Sequence, residues 1–386
     1  MLKKFKVKNF KHFKDEFVFD LSEVKDYKFN PECVNDGIVA KSVIYGPNGC
    51  GKSNLGYALF DLKMHLDDDT TKLPVSKYSN YLNADSSEDL AEFEYTFQFG
   101  EHKVVYSYGK KSVKNIVYER FMIDGKKCIA LDRRRSNEAF VDLAGAETLN
   151  RDLSGSEISV IKYVKNNVVL LHADINSVFK LVFSFLDNMT YAKVSDVEVF
   201  STDETEETLA ALFDHHSDLL PRFEEYLNVM GVKCTIDLIE RDEKKKLVFV
   251  HKNRNISFLQ EASVGTIALL RIFVDLHILG QSCKISKLSE ALELDSVTPF
   301  IFIDEFDAFY HQKVAKAVVT MLKDIPCQAI LTTHNTGIMS NELLRPDCYF
   351  VMSSEGIKPI YKFTDKELRV AHNIEKMYRA GTFSDE

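Results

Sequence analysis

Apolar and polar residues in the first third of the chain alternate with a period of two. FKVKNF, DEFVFDL, KSVIYG, AEFEYTFQFG, EHKVVYSYG, VKNIVYERFMIDG and KKCIALD each bring apolar side chains to one face, which predicts short strands and a β-rich lobe. Gly100 in QFGEHK and Gly125 in IDGKK mark hairpin turns between them. From about Ser156 the spacing becomes helical through VIKYVKNNVVLLHADINSVFKLVFSFLDNM, and an acidic loop, STDETEE, then leads into a helix, TLAALFDHHSDLLPRFEEYLNVM. This stretch has no sustained heptads, so it predicts a compact, mainly helical insertion rather than a coiled coil. Strands return in CTIDLIERDEKKKLVFVHKN, followed by a helix from about Val264, a strand at FIFID, another helix and a strand at QAILTT. The fold class expected from this order is α/β. No internal repeat or low-complexity tract interrupts it.

Length and composition change this picture little. A chain of 386 residues is long for one ordinary core and implies two lobes, or one large α/β domain with an insertion. With 45% hydrophobic and 28% charged residues the composition is that of a globular protein. No apolar run is long enough to cross a bilayer, and the basic start MLKKFKVKNFK lacks the apolar segment of a signal peptide, so no membrane association and a cytoplasmic location are expected. The seven cysteines lie far apart without zinc spacing and are read as reduced thiols. A net charge of −9 argues against a strong intrinsic hold on nucleic acid. The basic clusters Lys3 to Lys14, Lys110 to Lys114, Arg133 to Arg135 and Lys244 to Lys246 are read as solvated faces or turns.

Four motifs carry chemistry. GPNGCGKSN follows the apolar run IVAKSVIY and precedes a helix-forming stretch. Its GxxxxGK[ST] spacing lets the backbone of Gly46, Pro47, Asn48, Gly49 and Gly51 curl round a nucleotide β-phosphate, with Lys52 on the β- and γ-phosphates. Ser53 is then placed for Mg2+, and Asn54 continues the binding segment into the helix. FIFIDE ends a buried, parallel-type strand in two acids: Asp304, expected on the Mg2+ shell, and Glu305, expected to polarise an attacking water. AILTTHN brings His334 to the end of a further strand, where it would point at the γ-phosphate. SVGT opens a helix with Ser263 and Gly265, small residues that suit an anion-binding amide cluster and equally an ordinary helix cap. The adjacent His215 and His216, near Asp214 and Asp218, face different directions on a helix and are not read as a metal site.

The order of these elements, with the opening VKNFKHFKDEFVFDL, resembles the ABC-type ATPase head of the SMC, RecF and OLD proteins. The resemblance covers about residues 1 to 130 and 245 to 386. It implies an ATPase head in two halves: 1–150 with the phosphate loop and β-rich lobe, and 241–386 with the signature, the acid-tipped strand and the histidine, separated by the insertion 151–240. It further implies ATP and Mg2+ as cofactors and hydrolysis to ADP and phosphate. Two heads would sandwich two ATP molecules, with Ser263 and Gly265 completing the partner's site in a homodimer or larger homo-oligomer. The signature departs from the Ser-Gly-Gly-Gln of the wider superfamily, and Gln98 is a guess for its metal-sensing glutamine. His311, seven residues beyond Asp304, looks like the OLD-like branch. NELLRPDCYFVMSSEG and LRVAHNIEKMYRAGTF resemble small ATPases of bacterial anti-phage systems, such as the RloA and AbiL groups and the AriA subunit of PARIS. That company implies a sensor or scaffold subunit controlling a separate, nuclease-like effector encoded nearby. The alternative is a RecF-like ATPase of DNA metabolism that clamps DNA directly.

Overall fold

A computed structural model describes residues 1–67, 75–171, 173–194, 203–241, 244–291 and 297–383; the side chains of 203–205, 241, 279 and 281–291 lie outside the description. The alternating N-terminal segments form strands β1 (Leu2–Lys8), β2 (Phe17–Asp20), β6 (Ala91–Phe99), β7 (His102–Lys110), β8 (Ile116–Ile123), β9 (Lys126–Asp132) and β10 (Ser136–Val141). They make one antiparallel sheet in the order β10-β9-β8-β7-β6-β1-β2. The turn at Gly100 (φ 54°) and the turn at Asp124 (φ 49°) and Gly125 (φ 78°) use the left-handed backbone that tight hairpins require.

The second sheet contains β5 (Lys41–Tyr45), β11 (Met189–Lys193), β15 (Phe300–Asp304), β16 (Gln328–Thr332), β17 (Tyr349–Ser353) and β18 (Gly356–Pro359). Its order is β11-β15-β16-β5-β17-β18, and every neighbouring pair is parallel except the final hairpin. β5, β15 and β16 are buried along their whole length, which is why they read as unbroken apolar runs rather than alternating ones. A short pair, β3 (Val34–Asn35) and β4 (Ile38–Val39), precedes β5.

Helix α1 (Lys52–Leu66) lies on this sheet. A Cβ on Gly56 would come within 2.6 Å of the Phe302 ring and 2.9 Å of Tyr191, so only glycine lets the helix approach β15 and β11 so closely. Helices α2 (Val160–Asn167), α3 (Asp174–Asp187), α8 (Gln312–Asp324) and α9 (Ile374–Arg379) complete the main body. Phe185 of α3 bridges the two sheets, with ring centroids 5.0 Å from Phe97 and 5.7 Å from Phe300. One hydrophobic core runs through both sheets.

A second core joins α4 (Asp203–His215), α5 (Leu219–Val229), the small sheet β12 (Ile236–Arg241), β13 (Lys244–Val250) and β14 (Asn255–Ser257), α6 (Phe258–Glu261), and the first half of α7 (Val264–Ala291). Phe223 is its hub, 4.9 Å from Phe273 and 5.6 Å from Phe258.

The stretch 151–240, expected as one mainly helical insertion, therefore divides between the two cores. Its first part supplies α2, α3 and β11, an edge strand of the parallel sheet. The helical run from Ser156 breaks after Asn167, where Val168 turns extended and Leu171 N–H donates to Ala144 O at 3.1 Å. The helix expected through 208–230 is two, separated at His216–Asp218, with Pro221 tolerated in the first turn of the second. Of the acidic loop STDETEE, Asp203 onward is already helical and 201–202 lie outside the described residues. Six cysteines are free, and the side chain of Cys283 falls outside the description. Among the described residues no helix is long and apolar enough to cross a membrane.

Candidate active site

Parallel strands bring their carboxyl ends to one edge, where the connecting loops leave room for a ligand. Along β11-β15-β16-β5 that edge carries Lys193, Asp304 with Glu305, Thr332 with His334, and the loop 46–53.

The loop is shaped by its glycines. Gly49 (φ 79°) and Gly51 (φ 105°) take left-handed backbone, and Gly51 caps α1, so the first free amides of that helix face the loop. A Cβ on Gly46 would sit 2.4 Å from Met352 O and 2.7 Å from Cys50 Sγ, so the loop's entry tolerates no side chain. Pro47, Asn48 and Gly49 are exposed, whereas Lys52 is buried and its Nζ donates to Gly46 O at 2.9 Å and Pro47 O at 3.0 Å. Burial lowers the Lys52 pKa from its ordinary value, against the pull of Cys50 and Asp304. Asn54 continues the first turn of α1, half-buried.

Ser53 and Asp304, paired from sequence as metal-holding residues, meet: Ser53 Oγ donates to Asp304 Oδ2 at 2.6 Å. The other carboxylate oxygen accepts from Thr332 Oγ1 at 2.7 Å. A hydroxyl and a carboxylate are a hard, all-oxygen pair that fits Mg2+, which keeps waters and phosphate oxygens in its remaining positions. No group of three or more His, Cys, Asp or Glu side chains able to hold a metal occurs among the described residues, and that includes the neighbourhood of His215 and His216.

Glu305 has a left-handed backbone (φ 50°), uncommon for a residue with a side chain. Its N–H donates to Thr332 Oγ1 at 2.9 Å, and its partly exposed carboxylate lies 3.6 Å from Lys193 Nζ. His334 is exposed at the end of β16. Its pKa is lowered by partial desolvation and then by the charge of Lys52, with Glu305 and Asp307 opposing. Behind it Thr333 Oγ1 donates to Asp307 Oδ1 at 2.7 Å, and burial raises the Asp307 pKa.

Ser263 caps α7, its Oγ accepting from Thr266 N–H at 3.2 Å. Gly265 packs on the loop after β15, where a Cβ would be 2.8 Å from Phe309 O. Among the described hydrogen bonds none joins Ser263 or Gly265 to the phosphate loop of the same chain. Gln98 is not at the site: its amide donates to Gly100 O at 2.8 Å, closing its own hairpin turn. His311 caps α8, with Nδ1 accepting from Lys313 N–H at 3.3 Å.

Three residues escaped the sequence reading. Lys193 ends a strand hidden in a stretch read as helical, and only the β-branched and aromatic run MTYAK hinted at it. Thr332 was visible in AILTTHN but carried no expected role. His12 lies against the phosphate loop, where a Cβ on Gly51 would be 2.9 Å from its ring. The turn that brings it there contains left-handed Asn9 (φ 51°) and Lys11 (φ 48°), and KHF after the Asn-Phe pair was its signal.

The basic clusters are largely neutralised. Lys6 pairs with Glu94 at 3.2 Å, Lys8 with Glu88 at 2.7 Å, Lys111 with Asp89 at 2.6 Å, Arg134 with Asp132 at 2.8 Å, and Lys246 with Glu206 at 3.1 Å. Lys4 and Lys244 likewise meet Asp20 and Glu207.

No curated protein matches the sequence. Among solved structures, an SMC head bound to the C-terminal winged-helix domain of ScpA aligns with 16% identity, TM-score 0.44, over 92% of this chain and 96% of that one. The SMC head domain from Thermotoga maritima aligns with 15% identity, TM-score 0.42, over 93% and 98%. An Smc head with an extended coiled coil, bound to the C-terminal domain of ScpA derived from Pyrococcus furiosus, gives 14%, 0.43, 92% and 95%. Residues 41–340 match the family described as "AAA domain, putative AbiEii toxin, Type IV TA system", a span that holds the phosphate loop, the Ser53–Asp304 pair and His334, and the chain belongs to that family.

Proposed function

We propose that this protein binds and hydrolyses ATP as an ABC-type ATPase. The observation that carries the reading is the hydrogen bond from Ser53, at the foot of the phosphate loop, to Asp304, beside Glu305, across 251 residues of chain. In this reading the loop amides from Gly46 to Gly51 and the Lys52 ammonium hold the β- and γ-phosphates. Ser53 and Asp304 would hold Mg2+, whose charge would offset the negative charge of the phosphates. Glu305 takes a proton from the attacking water as its oxygen bonds to the γ-phosphorus. The bond to the bridging oxygen then breaks, ADP leaves with that oxygen, and the His334 ring orients the γ-phosphate.

Ser263 and Gly265 are proposed to complete the site of a second copy. Beside them Val264 and Phe309 are 51% and 39% exposed, an apolar pair suited to being covered by that copy. At the level of the cell the proposal is a sensor or scaffold subunit that restrains and releases a nuclease-like effector during anti-phage defence. Membership of a family described by a toxin–antitoxin system supports such a two-component setting. The pairing of the basic clusters with acids disfavours the alternative of a RecF-like DNA clamp.

Glu305→Gln tests the reading. ATP binding should persist while turnover falls by roughly 100-fold or more, because the amide keeps size and hydrogen bonding but accepts no proton. Unchanged turnover would remove Glu305 from the chemistry. Trapped ATP should also increase association between copies, and Ser263→Arg should cancel that gain.

A further inference from the structure

The parallel register of β11 and β15 sets Lys193 opposite Asp304. The lysine side chain is 17% exposed, and its Nζ lies 3.1 Å from Asp304 Oδ2 and 3.6 Å from Glu305 Oε1. The same Oδ2 accepts from Ser53 Oγ, and Oδ1 accepts from Thr332 Oγ1. A fully buried carboxylate requires a counter-charge. Lys52 is turned toward the carbonyls of Gly46 and Pro47, so Lys193 is the cation paired with Asp304.

We propose that Lys193 is a tethered counter-ion of the metal site, whose ammonium neutralises Asp304 in the nucleotide-free chain and has to leave that carboxylate before a divalent cation can bind there. This rests on the assignment of Ser53 and Asp304 as metal-holding residues. An ammonium and a divalent cation cannot share one carboxylate oxygen without strong repulsion, since both would sit within about 3 Å of it in a poorly screened setting. The metal alone is therefore held weakly. A nucleotide changes the balance because its phosphates offer the displaced ammonium a new anionic partner within reach of its flexible stem. Metal and nucleotide then each strengthen the binding of the other, with Lys193 as the link.

The test uses the full chain and Mn2+ alone, followed by electron paramagnetic resonance and calorimetry. Lys193→Met, of similar length and without charge, should bind Mn2+ on the order of tenfold more tightly than the wild type. Adding Asp304→Asn to that variant should abolish the gain. Mn2+ should also raise the melting temperature of Lys193→Met more than that of the wild type. Lys193→Gln, which can still hydrogen bond to Asp304, should move in the same direction and serves if the Met variant folds poorly. Mn2+ binding in both variants that is equal to the wild type, weaker, or absent overturns the proposal. A separate arm measures ATP binding: ATP held undiminished by Lys52→Ala would remove the phosphate-loop reading, while the Mn2+ result stands or falls on its dependence on Asp304.

Discussion

Replacing Lys110 by Met should cost about 3–5 kcal/mol of stability, the range expected when a buried ion pair loses one partner. Lys110 Nζ lies 2.9 Å from Asp61 Oδ2, and both side chains have zero exposure. Asp61 belongs to α1, the helix that opens at Lys52, and Lys110 ends β7 of the antiparallel sheet, so the pair joins the phosphate-loop helix to the lobe. Tyr81 and Tyr108 each donate to Asp61 at 2.9 Å. After the substitution those two phenols would remain as donors, but the negative charge would have no counter-ion. Burial already lowers the Lys110 pKa, with Asp61 opposing, which marks an expensive charge held in place by its partner.

Asp61→Asn should be costly for the reverse reason, leaving an ammonium buried. The double variant Lys110→Met/Asp61→Asn carries neither charge and should recover on the order of 2 kcal/mol or more relative to the sum of the singles. Guanidinium unfolding at pH 7, followed by circular dichroism, measures all four proteins. Against a whole-protein stability of roughly 5–15 kcal/mol, the single losses are large enough to read directly. A loss below about 1 kcal/mol in Lys110→Met, or strict additivity in the double, would refute the account of a charge pair locked by burial.

Two further expectations follow from buried groups. His65 is enclosed by Tyr106, Tyr108, Lys110 and Asp61, and burial, followed by the charge of Lys110, holds its pKa well below the ordinary 6.5. The unfolded chain therefore takes up its proton first as pH falls below 6.5, so acidification should destabilise the wild type by up to about 1.4 kcal/mol per pH unit more than His65→Gln; equal losses in denaturation at pH 7.5 and 5.5 would exclude this. Cys50, within the phosphate loop, is only 6% exposed, so iodoacetamide should label it slowly in the native protein. Its alkylation should block nucleotide binding, with MgATP protecting; the same loss in Cys50→Ser would point to another thiol.

Much of the site was legible because its residues report local geometry. Gly49 and Gly51 are needed for left-handed backbone, Lys52 and Ser53 open a helix, and Asp304 ends a strand apolar enough to be recognised as buried. The antiparallel lobe was legible for a similar reason, since one face of each strand is wet and the alternation shows. What could not be read was pairing between distant segments. β11 is five residues long and follows two helices, so periodicity assigned it to a helical region; its place beside β15 comes from the fit of Tyr191 against Phe302, stacked at 6.0 Å, and from Gly56 beneath them. The division of 151–240 between two cores was hidden too, because helical periodicity states which face is buried and not against what.

Thr332 illustrates how the fold refines a motif after the motif has been recognised. Its hydroxyl donates to Asp304 Oδ1 at 2.7 Å and accepts from the Glu305 N–H at 2.9 Å, so one side chain on β16 fixes both acids at the end of β15. Glu305 needs that help. With φ at 50° it occupies a conformation that costs a residue with a side chain energy, and the hydrogen bond to its amide is one of the contacts that hold it there. The chain then turns sharply, Ala308 N–H donating to Glu305 O at 3.0 Å, and Gly265 at the start of α7 packs on Phe309 in the same loop. The orientation of the glutamate is thus tied on one side to the histidine-bearing strand and on the other to the helix whose exposed N-terminal residues are proposed to meet a second copy. A displacement at that helix start has a short mechanical route to the acids, through contacts that already exist within one chain.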